Sequence, residues 1–325
     1  MGLRHLASLA AAAALMAAPL AAQAPAARKK SWTMPRLGDG HPDLQGIWTN
    51  ATITPLERPA QFAGKATVTD AEAAKFENPN NDNLYGDRRS NNAEQDRDHA
   101  YNALFFDRGT ELARVDGAKR TSLIIDPADG KIPAMTPAAS KRISNRMRNR
   151  FDSVQDRPLG ERCILGFGST SGPPMMPVLY NNNYQIVQSA HDIMILVEMV
   201  HDVRHIHMDR KEHLPQDVRL WTGDSIGHWE GDTLVVDTTN FTDKTGYRGS
   251  SQNLRVIERF TRIDAETILY KFTIDDPETF TRPWTAEYPF RATPGPIFEY
   301  ACHEGNYAMP DILGGARAAE AAEKK

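Results

Sequence analysis

Ile226-Gly227-His228-Trp229-Glu230-Gly231-Asp232-Thr233-Leu234-Val235-Val236-Asp237-Thr238 is the stretch that decides how this chain is read. Two runs of β-forming residues flank Glu230-Gly231-Asp232, and an acidic, glycine-centred break of that length is a hairpin signal. The same grammar continues on both sides. Runs at 254–263 and 267–274 are joined by Asp264-Ala265-Glu266, and shorter β-patterned runs lie at 184–189, 193–200, 203–208, 218–221, 284–291 and 297–302. Strands that follow one another in sequence curl until the first and last can pair, because closure removes the free edges at which chains aggregate. The expected fold is mainly β: an antiparallel β-barrel or strongly curved sheet with helical and loop decoration.

Further upstream, Leu44-Gln45-Gly46-Ile47-Trp48-Thr49 offers one more strand, and Ser122-Leu123-Ile124-Ile125-Asp126 another, followed by the turn signal Asp129-Gly130. Residues 51–182 otherwise read as an insertion of loops and helices. Thr69 or Asp70 caps a short helix predicted to run to Glu77, and residues 78–98, rich in Asn, Asp and Arg, form a long loop. A second helix is predicted over 137–155, where Ile143, Met147, Phe151 and Val154 recur every three or four residues. The reading is one compact unit, 44–313, preceded by a leader at 25–43 and followed by an Ala/Glu/Lys-rich tail at 314–325 that is predicted to be a fraying helix.

Composition narrows the partners. With 38 Lys and Arg against 42 Asp and Glu, the net charge of −4 provides no field to hold a polyanion, so nucleic acid is excluded as an expected partner and a small-molecule ligand or substrate is favoured. Arg4 and His5, the apolar run 6–20 and Ala22-Gln23-Ala24 read as a signal peptide over 1–24, which implies a periplasmic or secreted protein. No later run reaches the ~18 apolar residues of a spanning helix, so the mature chain is expected to carry no integral membrane segment. In an oxidising compartment the two cysteines, Cys163 and Cys302, are predicted to form a disulfide. A nucleophilic thiol is the alternative, against which stands the lack of a basic activator around Cys163.

Tyr180-Asn181-Asn182-Asn183-Tyr184-Gln185-Ile186-Val187-Gln188, Trp229-Glu230-Gly231-Asp232-Thr233-Leu234-Val235-Val236-Asp237-Thr238-Thr239-Asn240-Phe241 and Cys302-His303-Glu304-Gly305-Asn306-Tyr307 resemble segments of a family of exported bacterial hypothetical proteins. That likeness covers nearly all of the mature chain and implies no particular activity. It also implies apolar residues or proline at positions 205 and 207, where this chain has histidines. Separately, Gly46-Ile47-Trp48 is similar to the Gly-x-Trp opening of lipocalin-like barrels, which implies a closed antiparallel barrel.

Titratable groups are densest at His201-Asp202-Val203-Arg204-His205-Ile206-His207-Met208-Asp209-Arg210. If this run is a strand, His201, His205 and His207 share one face, and Asp202, Arg204 and Met208 take the other. Three such histidines are a possible zinc set, against the plainer reading of a wet edge strand; the expectation is no metal and no cofactor. A metal-free acid/base set is preferred. In it His201 transfers protons, Asp202 or Asp209 orients it, Arg204 faces a developing oxyanion, and His213 stands nearby. His303 and Glu304, tethered beside Cys302, are expected to face the same cavity. A structural ion network of His201 and Arg204 with Glu198 and Asp202 is an equal alternative. Tyr180, Asn182, Tyr184, Trp229 and Trp284 are expected to line the ligand pocket. Two functions remain open: an extracytoplasmic enzyme doing cofactor-independent acid/base chemistry of lyase, hydratase or isomerase type on a small, partly apolar molecule, and a non-catalytic lipocalin-like binding protein.

Overall fold

The computed structural model describes residues 32–85, 91–94, 106–167, 172–244 and 247–324. The expected signal peptide and the leader to residue 31 lie outside them. In chain order the strands are β1 (Gly46–Thr49), β2 (Thr67–Val68), β3 (Arg114–Val115), β4 (Ala118–Arg120), β5 (Ile124–Asp126), β6 (Asn183–Gln188) and β7 (Asp192–Val197). They continue with β8 (Val203–His207), β9 (Asp224–Glu230), β10 (Thr233–Thr239), β11 (Arg255–Asp264), β12 (Thr267–Asp275) and β13 (Trp284–Ala292). The helices are α1 (Asp70–Tyr85), α2 (Pro137–Arg148) and α3 (Ala308–Glu323).

Nine strands close into a barrel in the order β1-β6-β7-β8-β9-β10-β11-β12-β13, and the ring is completed by Trp48 pairing with Ala292 and Thr49 with Arg291. β5 adds to the outer edge of β13, while β2, β4 and β3 form a separate small sheet. The barrel expectation holds, with one correction: it is mixed. β8 and β9 run parallel through only two register pairs, Ile206 with Ser225 and His207 with Ile226. Residues 208–223 carry the chain back to the starting end of the sheet, and a parallel neighbour requires such a crossover. The strand expected at 218–221 is part of that crossover, where Leu220 makes a single bridge to Phe241.

Alternation sets the inside of the barrel. On β12, Ile268, Tyr270, Phe272 and Ile274 are fully buried and are separated by less buried residues, and β13 sends Trp284, Ala286, Tyr288 and Phe290 inward. Tyr270 lies 5.0 Å from Phe260, 5.4 Å from Tyr288 and 4.9 Å from Phe290 between ring centroids. A barrel of this size is filled by such side chains, so its centre is packed core.

Local signals explain the ends of several elements. Thr69 caps α1 reciprocally with Glu72, whose amide reaches the Thr69 hydroxyl at 3.2 Å while its carboxylate accepts from the Thr69 amide at 3.0 Å. α1 continues past Glu77 to Tyr85, longer than expected, with Pro79 inside it. α2 starts at Pro137 behind the Thr136 cap and stops at Arg148, short of 155; residues 154–156 form a separate short turn. Residues 297–302, expected as a strand, have no regular structure. Pro294 and Pro296 precede them, and a proline nitrogen cannot donate to a sheet.

Candidate functional site

The segment of residues 172–178 enters the barrel and plugs it. Met175 is fully buried: its backbone amide donates to the Tyr270 hydroxyl at 3.2 Å, and its carbonyl accepts from the Tyr288 hydroxyl at 2.5 Å and from the Asn50 side-chain Nδ2 at 2.9 Å. Asn50 also donates to the Tyr184 hydroxyl at 3.3 Å. Beneath the plug, Arg204 of β8 and Glu258 of β11 form a two-pronged ion pair at 2.9 and 2.5 Å, and Tyr270 donates to Glu258 at 2.7 Å. Burial pushes the Tyr270 and Tyr288 phenols well above their ordinary range, and it raises Tyr184 as well. Burial disfavours the Arg204 cation, but Glu258 outweighs it and its pKa ends raised. The barrel core therefore holds an ion pair and neutral phenols.

On its other side the plug walls a cavity of about 590 Å³. The cavity lies between residues 52–56, residues 176–179 and the pair Tyr247-Arg248, and Leu123 closes the apolar part. Arg108 and Arg248 supply its charge, and among the described residues that line it none is a carboxylate or a histidine. Burial lifts the Tyr247 phenol to about 12, with Arg248 opposing the shift, so Tyr247 stays neutral. The Arg108 Nε is buried with no hydrogen-bond partner among the described residues, although its Nη2 donates to the Asn80 carbonyl at 3.2 Å. Asn182 holds the wall in place: its side chain accepts from the Val178 amide at 2.8 Å and donates to the Val178 carbonyl at 3.0 Å and to Asp107 at 2.7 Å. Burial raises the Asp107 carboxyl, and the two bonds from Asn182 oppose that.

The residues expected to act together are dispersed. Arg204 points into the barrel, while His201, Asp209, His303 and Glu304 are exposed and Asp202 is half-buried. None of them lines this cavity, a second groove of about 670 Å³ along residues 145–167, or a third hollow of about 290 Å³ beside Trp229. His201 is not on the strand. It ends a single turn, Met199–His201, in which both Val200 (φ 67) and His201 (φ 55) adopt the left-handed region, an expensive conformation for a β-branched valine. The partner of Arg204 is Glu258, whereas the Glu198 carboxylate accepts from the amides of Asn183 at 3.3 Å and Phe298 at 3.1 Å.

Of the residues expected to touch ligand, Tyr184 and Trp284 are core, Asn182 is a latch and Tyr180 is half-buried. Trp229 stacks on His41, with centroids 5.0 Å apart and planes within 7°. His213 sits between two carboxylates, with Nδ1 3.0 Å from Asp224 and Nε2 3.6 Å from Asp237, where it fastens the crossover to β9 and β10. His205 and His207 face outward, and their carboxylate neighbour is Asp192, with His201 playing no part. Cys163 and Cys302 are bonded, with Cα atoms 5.6 Å apart, which removes the nucleophilic-thiol alternative.

The cavity was not visible in the sequence because its lining is ordinary: threonines, aliphatics and two of many arginines. No helix among the described residues is long and apolar enough to cross a membrane. No protein-family model, no curated protein and no solved structure matches the chain.

Proposed function

We propose that this protein is an extracytoplasmic binding protein for a small molecule with an apolar body and an anionic head. The observation that carries the reading is the cavity beside the plug. Its volume of about 590 Å³ lies within the range of small-molecule sites, its walls are mostly aliphatic, and among the described residues that line it the charged ones are the cations Arg108 and Arg248. The described lining residues supply two cations for an anion and, among them, no carboxylate or imidazole to act as a general base. Binding is therefore preferred to the acid/base enzyme, whose proposed members lie apart on the surface and in the core. The barrel resembles a lipocalin in closure only: its centre is occupied by Met175 and the aromatic core, so ligand sits beside the barrel's plug. The Cys163–Cys302 bond supports a location outside the cytoplasm.

The test is a titration with the fluorescent sulfonate 1-anilinonaphthalene-8-sulfonate, competed with octanoate or octanol. Saturable one-to-one binding is expected, with octanoate a better competitor than the uncharged alcohol. Val178→Trp, which fills the cavity, and Arg248→Glu, which reverses its charge, should each weaken binding at least tenfold. Binding that ignores both substitutions, or turnover of a ligand that depends on His201 or His303, overturns the proposal.

A further inference from the structure

On the outer wall of the barrel, Asp192, His205 and His207 converge, and none of the three lines a cavity described above. Outward placement follows from strand parity: on β8, Arg204 and Ile206 are buried while His205 and His207 are not, and on β7 Asp192 and Met194 flank buried Ile193. Register then does the rest. Asp192 lies directly opposite His207, and Met194 opposite His205. Nε2 of His205 is 2.6 Å from Oδ1 of Asp192, Nδ1 of His207 is 3.6 Å from the same oxygen, and all three donor atoms lie within 4.8 Å of one another. The imidazole centroids are 4.0 Å apart.

We propose that these three side chains bind one divalent, nitrogen-preferring metal ion, Cu²⁺ or Zn²⁺. Ligand bonds of about 2.0–2.2 Å in a tetrahedral site put donors roughly 3.3 Å apart, so closing the present spread takes side-chain rotations of about 1 Å, which half-exposed residues make freely. The backbone beneath is already fixed. The Asp192 amide donates to the Ser189 hydroxyl at 3.0 Å, its carbonyl accepts from the Ser189 amide at 2.8 Å, and Met208 donates to the His191 carbonyl at 2.8 Å. Two imidazoles with one carboxylate select late first-row ions over Mg²⁺ and Ca²⁺, with Cu²⁺ held more tightly than Zn²⁺. Three protein donors leave a coordination position for water or an incoming ligand. The ion would also brace β7 to β8 beside the two-pair parallel seam between β8 and β9, of which His207 is a member.

The experiment uses the untagged full chain, stripped with a chelator and dialysed, with Zn²⁺ titrated by calorimetry and Cu²⁺ followed by electron paramagnetic resonance. One ion per chain is expected, with nitrogen hyperfine structure from two imidazoles and a melting temperature raised by metal. His205→Ala and His207→Ala should each lower affinity at least tenfold, Asp192→Asn should weaken it, and His228→Ala, another exposed histidine, should leave it unchanged. Unfolding of the metal-free variants confirms that they fold. Binding of substantially less than one ion, affinity unaffected by both histidine substitutions, or loss on His228→Ala would overturn the assignment.

Discussion

Arg204 and Glu258 meet inside the barrel from strands that are not neighbours, with their side chains 1% and 0% exposed. Burying two charges is costly, and here the cost is offset by a two-pronged contact and by a third bond from Tyr270. Removing one partner leaves the other charge stranded. Glu258→Leu or Arg204→Met should each destabilise the protein by about 3–5 kcal/mol, whereas the double replacement should cost less than either single change. Urea unfolding measures this, and single variants within about 1 kcal/mol of the parent would contradict it.

The Cys163–Cys302 bond spans 139 residues of sequence and ties the stretch before α3 to the 160–167 segment. The chain-entropy model gives about 5 kcal/mol for a loop of that size, an upper figure because the unfolded chain keeps some structure. Cys163→Ser/Cys302→Ser is expected to lose about 2–5 kcal/mol in denaturant titration, and a reductant should lower the midpoint of the parent but not that of the variant.

Asp224 links pH to stability. Burial alone would raise its carboxyl, but Arg210 at 3.0 Å, the Leu214 amide at 3.0 Å and His213 outweigh that, and its pKa is lowered. A carboxyl whose folded value lies below its unfolded value contributes stability above the unfolded value, near 4, and loses it as pH falls through the folded value. Asp224→Asn should therefore destabilise by about 2 kcal/mol at pH 7, and the gap to the parent should shrink at the acid end. A gap independent of pH would contradict the linkage.

Ligand binding should be flat across pH 6–9. The described lining residues include no carboxylate and no imidazole, and burial pushes the Tyr247 phenol up to about 12, outside that window. An affinity that follows a bell or a sigmoid centred near pH 6.5 would point to a histidine and favour the catalytic alternative.

The barrel was legible because its evidence is local. In 226–274 the β-forming runs and the turns at Gly231 and at Asp264-Ala265-Glu266 state where the strands begin and end, and the observed strands follow within a residue or two. Parity within 203–207 likewise separates Arg204 from His205 and His207. It also misled: extending that strand back to His201 ignored the left-handed turn at Val200, a conformation no propensity for valine announces. His303 and Glu304 drew attention through their charge, yet a tether at Cys302 fixes where the chain goes and not which way its side chains face.

By itself, then, the sequence determined the mainly β class, the strands between 224 and 275 to within a residue or two, and the disulfide, since each rests on short-range patterning or on the presence of only two cysteines. Tertiary structure alone decided the parallel seam, the plug that turns a hollow into a core, the pairing of Arg204 with a glutamate 54 residues away, and the carboxylate that Asp192 brings to two histidines. Those relationships depend on register and closure, which join residues far apart in the chain and leave no mark on the local pattern around any one of them.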